Sequence, residues 1–530
     1  MEDRNGALQE PLLQSQLDSS IHQTHTFTFT NGDTRSVSRR DETISCTPEW
    51  ILGEVRKQVF IAGPMVCVAL LQYLLIVISV MFVGHLGELE LASASIATSS
   101  AGVTGTSLII GMAAALETLC GQAYGAKQYH MLGIFMQRAI FVLYLVCIPI
   151  AVVWWNMDSV LVFLGQDPQI SELAGVYARY LIPTIFAVAT LQPLVKFLQT
   201  QSLVLPMALF SAATLILHIP LCWLLIFKLG IGYRGAAIAG SLSNWLNVIF
   251  VASYVKYSAT CKGTWTSFSR EAFNDLPAFI KLAIPSAIMI CLEYWSFQGL
   301  VLLSGLLPNP QLETSTLSIC LTCTALLYMI PFGIGAAVST RVGNELGAGR
   351  PQAAKGAAVI AVSIGVSEGL VMATILYFGR NLWGKAFTQE QEVIEYVARS
   401  IPLLAIMHIM DATQGVLSGV ARGCGWQAFG AAANLGAYYV VGLPAAVVLA
   451  FVYDLKGRGL WVGLILGVTT AALTLLFMAC ATNWQQQAEE ALLRVYSSAT
   501  ATLPIEANHA QKDEIPALRL FEDGDCEDRS

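Results

Sequence analysis

Long apolar runs, separated by short polar segments, dominate the chain from residue 59 onward. Twelve of these runs are long enough to cross a bilayer as helices, which takes about 20 mostly apolar residues each. Strands of a membrane β-barrel would be shorter and would alternate apolar with polar positions. The pattern therefore predicts an all-α membrane protein with twelve transmembrane helices over residues 59–83, 92–116, 134–155, 173–195, 203–226, 235–257, 281–307, 316–340, 356–378, 397–421, 428–453 and 460–482.

The second half of the chain repeats the first. The segments that begin at Gly121 and Gly343 both read GxxxGA, and they lie 222 residues apart. Pro220 and Pro444 have a nearly equal offset of 224 residues. Six helices followed by six more in the same orientation form a parallel repeat, whose axis runs along the membrane normal. The repeat predicts two halves of six helices, an N-lobe over 56–257 and a C-lobe over 281–482, joined by a linker over 258–280. The substrate site is expected between the halves or within one of them.

Composition and charge agree with a membrane protein. Charged residues make up 12% of the chain, about half of the roughly 25% that soluble proteins carry. The central part, 58–482, holds 17 acidic and 19 basic residues, so the net charge of −7 arises in the two ends. This distribution excludes a soluble multidomain enzyme and a nucleic-acid-binding protein driven by basic charge.

The two ends of the chain are polar and lack an apolar core. We predict disordered tails over residues 1–55 and over the acidic segment 483–530, apart from a short interfacial helix over 484–496. No cleavable signal peptide is evident in the first fifty residues. With a cytoplasmic N-terminus, the inner loops hold eleven Lys and Arg residues and the outer loops hold six. The positive-inside rule then places both termini in the cytoplasm.

Three carboxyl groups lie well inside predicted helices: Glu293 in the seventh, Glu368 in the ninth and Asp411 in the tenth. A charged carboxyl at the bilayer centre costs about 2.5–3.5 kcal/mol on insertion scales, so each is a functional candidate. Burial disfavours the charged form, and two neighbouring carboxyls can share and release protons. We predict that Glu293 and Asp411 bind protons and substrate in the C-lobe. A static hydrogen-bonding role is the alternative for both, and it is the favoured interpretation of Glu368.

Three further residues are candidates for supporting roles. Gln414 follows Asp411 on the same helical face and can offer a hydrogen bond to a substrate. Ser296, one turn after Glu293, is a second candidate for lining a substrate cavity. Pro64 removes a backbone hydrogen bond within the first helix and permits a bend, which is either static or dependent on the state of a carrier.

No metal site and no cofactor are expected. Cys320 and Cys323 form a CxxC, but they lie in an apolar run without further ligands nearby. The sequence has no GxxxxGK[ST], so direct ATP hydrolysis is not expected. An intramembrane aspartyl protease is a remote alternative, because two buried carboxyls can share a proton there too. The chain lacks a Gly-x-Gly-Asp signature for that activity.

Five short segments carry a family resemblance: VGHLG at 83–87, CGQAYGA at 120–126, PFGIG at 331–335, RVGNELGA at 341–348 and RGCGWQ at 422–427. Together they resemble the multidrug and toxic compound extrusion family, and most closely its plant, detoxification-type branch. The resemblance covers about residues 50–482, which is the whole predicted membrane part.

The resemblance implies twelve helices in two lobes of six around a central cavity, and a secondary antiport of organic compounds against protons. It also implies that Glu293 and Asp411 form the coupling site of the C-lobe, and that Pro64 allows state-dependent bending of the first helix. Prokaryotic members often carry an aspartate near the position of Ser79 in this chain. The serine here shifts the weight from an N-lobe proton site to the pair in the C-lobe.

We therefore expect an exporter of organic cations, secondary metabolites or xenobiotics in exchange for protons, and not an enzyme. It would use a proton gradient, contact small organic substrates and the lipid bilayer, bind no nucleic acid and act as a monomer. A vacuolar (tonoplast) or plasma-membrane location is expected. Sodium coupling, with the same carboxylates as ligands, and a lipid-linked flippase of the same superfamily remain alternatives.

Overall fold

A computed structural model describes residues 47–387 and 390–502 of the chain. These residues include twelve helices that are long and apolar enough to cross a membrane, which confirms the predicted number. Residues 1–46 and 503–530, where most of the expected tails fall, lie outside the described residues. The helices are α1 Pro48–Gly84, α2 Glu88–Gly125, α3 Tyr129–Trp155, α4 Pro168–Thr200, α5 Leu205–Lys228, α6 Tyr233–Tyr257, α7 Leu276–Ser304, α8 Pro310–Gly347, α9 Pro351–Phe387, α10 Gln391–Cys424, α11 Gln427–Val452 and α12 Lys456–Ala481.

The helices form two equivalent groups of six, so the predicted fold class is confirmed. In the first group α4 packs against α3 and α6, and in the second α10 packs against α9 and α12. Likewise α1 packs against α5 as α7 packs against α11. The segment between α6 and α7 lies on the N-lobe, where the Gln137 amide of α3 donates to the Ser267 carbonyl at 2.9 Å.

Several helices extend beyond the apolar runs on one side of the bundle. We call this the terminal side, because Pro48 of α1 and Ala481 of α12 both lie there. The helix α1 begins at Pro48 rather than near residue 59, and Thr47 caps it by accepting a hydrogen bond from the Trp50 N–H. The extensions are polar, and their side chains form the contacts that join the two lobes.

The two GxxxGA segments pack against each other across the lobe boundary on the terminal side. A Cβ atom added to Gly121 would lie 3.5 Å from the Cα of Gly343, which is ordinary van der Waals contact. A Cβ atom on Gly125 or Gly347 would overlap the backbone of the facing helix. The repeated glycines therefore allow α2 and α8 to approach backbone to backbone.

A buried ion cluster joins the lobes beside these glycines. Glu117 of α2 is 1% exposed and accepts from two bases. Lys196 Nζ of α4 lies 2.5 Å from its Oε1, and Arg422 Nε of α10 lies 2.9 Å from its Oε2. Since Arg422 belongs to the C-lobe, the carboxylate of Glu117 is shared between the lobes.

A second ion pair lies closer to the start of α1. Arg341 of α8 makes two hydrogen bonds of 2.9 Å to the carboxylate of Glu54 on α1. The same guanidinium contacts Glu345 at 2.6 Å. Gln58 adds a hydrogen bond of 2.8 Å to the carbonyl of Ala357 on α9. Polar groups that would be costly inside a membrane are thus paired across the lobe boundary.

A thirteenth helix, α13 Trp484–Thr502, covers this boundary from the terminal side. The interfacial helix expected over 484–496 is present and is longer than expected. The Arg494 guanidinium donates to the Gln122 side chain of α2 at 2.7 Å, and Trp426 donates to Gln487 at 2.7 Å. The helix therefore contacts both lobes.

The contacts between the lobes decrease towards the opposite side of the bundle. Trp295 Nε1 of α7 donates to the Val103 carbonyl of α2 at 3.0 Å. Of the hydrogen bonds between α2 and α7 in the described residues, this one lies furthest from the terminal side. It meets α2 at a π-helical turn, Gly102–Thr106. The lobes are therefore closed on the terminal side.

The glycines at the boundary give a first prediction. We expect Gly125→Ala to destabilise the protein by about 1–3 kcal/mol, because the added methyl group overpacks the contact with α8. Gly121→Ala is the matched control, since its methyl group fits and Ala has a helix propensity about 1 kcal/mol better than Gly. Thermal unfolding of the purified protein in nanodiscs measures both. A lower midpoint for Gly121→Ala than for Gly125→Ala would contradict the packing.

The ion cluster gives a second prediction. Glu117→Gln leaves Lys196 and Arg422 buried without a carboxylate, and breaking such a pair costs about 3–5 kcal/mol. Glu313→Gln is the control, because Glu313 is also buried but accepts from the Tyr396 hydroxyl at 2.8 Å instead of pairing with a described base. Thermal unfolding should show the larger loss for Glu117→Gln. Equal losses would show that the cluster adds little stability.

Candidate functional site

The carboxylate of Glu293 lies where α7, α8 and α10 meet. The Tyr328 hydroxyl of α8 donates to its Oε1 at 2.9 Å. The Gln414 amide of α10 donates to its Oε2 at 3.0 Å. The residue is only partly buried, so it remains accessible from between the helices. Both hydrogen bonds stabilise a negative charge on this carboxylate.

Asp411 lies one turn before Gln414 on α10 and has a different environment. It is 1% exposed, and neither of its carboxyl oxygens has a hydrogen-bond partner among the described residues. Its carboxyl group interacts electrostatically with the carboxyl groups of Glu293 and Glu368. Tyr438 of α11 is in range of both Glu293 and Asp411, and its hydroxyl is likewise without a partner in the described part of the chain. The structure therefore brings the two predicted acids into one polar cluster.

The other two predicted cavity residues differ from each other. Gln414 is buried, contacts Glu293 as described, and also donates to Ser418 at 3.1 Å. Its amide oxygen has no partner among residues 47–387 and 390–502. Ser296 is 1% exposed, and its hydroxyl donates to the carbonyl of Glu293 at 2.7 Å. Gln414 therefore belongs to the cluster, whereas the hydroxyl of Ser296 is used within its own helix.

Pro64 lies inside α1, which continues through it from Pro48 to Gly84. The proline has no N–H to donate to the carbonyl one turn earlier, which weakens the helix locally. Two residues further on, Val66 packs against Gly333 of α8, so closely that a side chain at Gly333 would clash with it. A change of angle at Pro64 would therefore alter the contact between α1 and α8.

The N-lobe has a neutral polar cluster around Ser79 and His218. Ser79 Oγ of α1 lies 3.1 Å from His218 Nε2 of α5, and Ser243 Oγ of α6 lies 2.8 Å from His218 Nδ1. His218 is fully buried and both of its ring nitrogens have partners. The lobes thus share a backbone fold but carry different polar groups.

Glu368 of α9 has a titratable partner on the neighbouring helix α10. Its Oε1 lies 3.2 Å from His408 Nε2 of α10. His408 precedes Asp411 by one helical turn, which connects this pair to the acidic cluster. No sequence signal links Glu368 to His408, because the contact joins separate helices.

Sequence reasoning also missed the tyrosines and the ion cluster. Tyr328 and Tyr438 lie in apolar runs, where aromatic residues are common. The roles of Lys196 and Arg422 depend on Glu117, which belongs to a different helix from either. The signal that could have been used is the presence of charged side chains at the edges of apolar runs, since such charges require partners.

The arrangement in the C-lobe is suited to binding a proton or a cation. It combines two carboxyl groups in Coulombic range with an amide and two phenol groups, enclosed by α7, α8, α10 and α11. One carboxyl has hydrogen-bond donors and the other has none. In the described part of the chain, no group of three or more His, Cys, Asp or Glu side chains is arranged to hold a metal ion.

Known proteins match the chain in both lobes. The MatE family model matches residues 64–224, which lie in α1–α5, and residues 285–448, which lie in α7–α11. The protein DETOXIFICATION 16 of Arabidopsis thaliana is 54% identical over 447 residues, which cover 84% of this chain and 92% of the relative. DETOXIFICATION 17 of the same plant is 52% identical over 445 residues, covering 84% and 94%.

Solved structures agree with this fold. The crystal structure of the eukaryotic MATE transporter AtDTX14 has a TM-score of 0.82 and 48% sequence identity, and the match covers 84% of this chain and 99% of that one. The Vibrio cholerae MATE transporter VcmN in its bent form has a TM-score of 0.71 at 18% identity, covering 84% and 99%, which shows the fold alone. The chain therefore belongs to the MATE family, and it is a multi-pass membrane transporter of the detoxification type rather than an enzyme.

Proposed function

We propose that the chain is a proton-coupled antiporter that exports organic cations, secondary metabolites or xenobiotics, with Glu293 and Asp411 as its coupling pair. The observation that carries the proposal is the contrast between these two acids. Glu293 accepts two hydrogen bonds, whereas buried Asp411 accepts none from the described residues. A charge on Asp411 is therefore the one that this cluster stabilises least.

This contrast supports an exchange of protons for cations. An isolated carboxylate in a low-dielectric site is costly, and the cost disappears when the group takes up a proton or pairs with a cation. With both acids deprotonated, the pair attracts a cationic substrate. Protonation removes that attraction and promotes release. Proton and substrate thus compete for the same negative charge, which is the requirement for antiport.

The closure of the lobes on the terminal side supports a direction of transport. With both termini in the cytoplasm, as the positive-inside rule predicts, the lobes as described are shut towards the cytoplasm. Protons would reach Glu293 from the outside or from a vacuolar lumen. Bending of α1 at Pro64 would then shift its contact with α8 and help to reopen the terminal side. We propose that the protein acts as a monomer in the tonoplast or the plasma membrane, with a proton gradient as its energy source.

The decisive experiment measures substrate efflux from proteoliposomes under an imposed pH gradient. We expect Glu293→Gln and Asp411→Asn each to reduce efflux by about tenfold or more, which corresponds to roughly 1.4 kcal/mol or more of lost coupling. Both substitutions conserve the size of the side chain but remove the titratable group. Undiminished transport in both variants would refute the assignment of the site.

Two controls sharpen this test. Glu313→Gln removes another buried carboxyl of the C-lobe, which the Tyr396 hydroxyl contacts at 2.8 Å, and should leave efflux close to that of the wild type. A sodium gradient at fixed pH tests the alternative ion, because the same carboxylates could ligate sodium. Efflux that follows the sodium gradient and does not respond to the pH gradient would show that sodium, rather than the proton, is the coupling ion.

A further inference from the structure

The Glu368–His408 pair joins α9 to α10, one helical turn before Asp411. It has no role in the coupling site proposed above. His408 is 1% exposed, and the side chain of Glu368 is 12% exposed. Only one atom of each side chain takes part in their contact of 3.2 Å. The second carboxyl oxygen of Glu368 and His408 Nδ1 have no hydrogen-bond partner among the described residues. A contact that only fastened α9 to α10 would not require two titratable side chains with spare polar atoms.

The surroundings of the pair connect it to the coupling site on one side and to the surface on the other. Asp411 is in Coulombic range of Glu368 as well as of Glu293. His408 and Asp411 are three residues apart on α10, so their side chains lie next to each other on the helix surface. The further titratable groups in range of Asp411 are Tyr328 and Tyr438, on α8 and α11.

On its other side, Glu368 borders a groove of about 650 Å³ between the start of α1 and α9. The groove is otherwise lined by apolar and serine side chains, among them Val55 of α1 and Ser363 and Ser367 of α9. Along α9, these serines lie between Glu368 and the terminal side. Glu368 is thus the titratable lining residue of a groove that extends towards the closed end of the lobes.

We propose that His408 and Glu368 form a proton relay that takes the proton from Asp411 to the groove between α1 and α9. The inference rests on the proposed function, because it requires Asp411 to bind protons. Asp411 and His408 Nδ1 are not in hydrogen-bond contact in this state, so the first transfer needs a side-chain movement or a bridging water. The protonated carboxyl of Asp411 then gives its proton to His408 Nδ1, and His408 gives the proton on Nε2 to the carboxylate of Glu368. Asp411 ends as a carboxylate, Glu368 as a neutral acid and His408 as a neutral imidazole of the other tautomer. Atoms and charge balance without any further reactant.

Imidazole is suited to this step because each ring nitrogen can accept or donate a proton. The nitrogen that contacts Glu368 is Nε2, which leaves Nδ1 available for exchange with Asp411. His218 in the N-lobe offers a comparison within the same chain. Its two ring nitrogens contact serine hydroxyls at 3.1 Å and 2.8 Å, whereas His408 contacts a carboxyl group.

The test separates proton-driven uptake from substrate exchange. Uptake of labelled tetraethylammonium, a permanent organic cation, into inside-out proteoliposomes is measured under a pH gradient. Counterflow of labelled against unlabelled tetraethylammonium is measured without a gradient. For Glu368→Gln and His408→Asn, we expect the ratio of driven uptake to counterflow to fall by about tenfold relative to the wild type, because counterflow needs no net proton transfer. Glu313→Gln, which removes a buried carboxyl outside the relay, should keep the wild-type ratio. His408→Asn keeps the relay testable if Glu368→Gln fails to fold.

The outcomes distinguish this relay from the proposed function. A wild type that does not respond to the pH gradient refutes the proposed function and the relay with it. A wild type that responds, with an unchanged ratio in both variants, refutes the relay alone. A parallel fall of both activities together with the thermal unfolding midpoint shows a structural pair and also overturns the relay. A fall in the ratio for both variants, at an unchanged unfolding midpoint, supports it.

Discussion

The pairing of charges in a medium that solvates them poorly governs this structure. The contacts of Glu117 with Lys196 and Arg422 join helices of both lobes and close the terminal side. Glu293 and Asp411 have no base among the described residues in hydrogen-bond contact, so a proton or a cation can bind there and neutralise their charge. The same constraint therefore produces a fixed cluster in one place and an exchangeable site in another.

The internal repeat supplies the framework for this division. The two GxxxGA segments occupy equivalent positions, and their glycines meet across the boundary, where side chains on Gly125 or Gly347 would prevent the approach. The polar groups do not follow the repeat. The N-lobe has the neutral cluster of Ser79, His218 and Ser243, whereas the C-lobe has the acids. The two lobes therefore share their helix packing, whereas the cluster of Glu293 and Asp411 lies in the C-lobe.

The sequence predicted the parts of this molecule that depend on single helices. Twelve apolar runs gave twelve helices, and the cost of an isolated carboxyl in a bilayer singled out Glu293 and Asp411. It could not predict contacts between helices, because these depend on how the lobes pack. The hydrogen bond from Tyr328 to Glu293 and the contact of Glu368 with His408 both belong to this class. The helix ends were also missed, because polar residues there are stabilised by partners on other helices.

Arg422 connects the two kinds of site. Its guanidinium lies 2.9 Å from Glu117, across the lobe boundary, and it is also within Coulombic range of Glu293. A proton on Glu293 removes one of the two negative charges that attract this arginine and leaves Glu117 as its partner. The charge state of the coupling site and the strength of the contact that closes the lobes therefore depend on each other. Because a coupling free energy acts equally in both directions, separation of Arg422 from Glu117 must in turn change how readily Glu293 holds a proton.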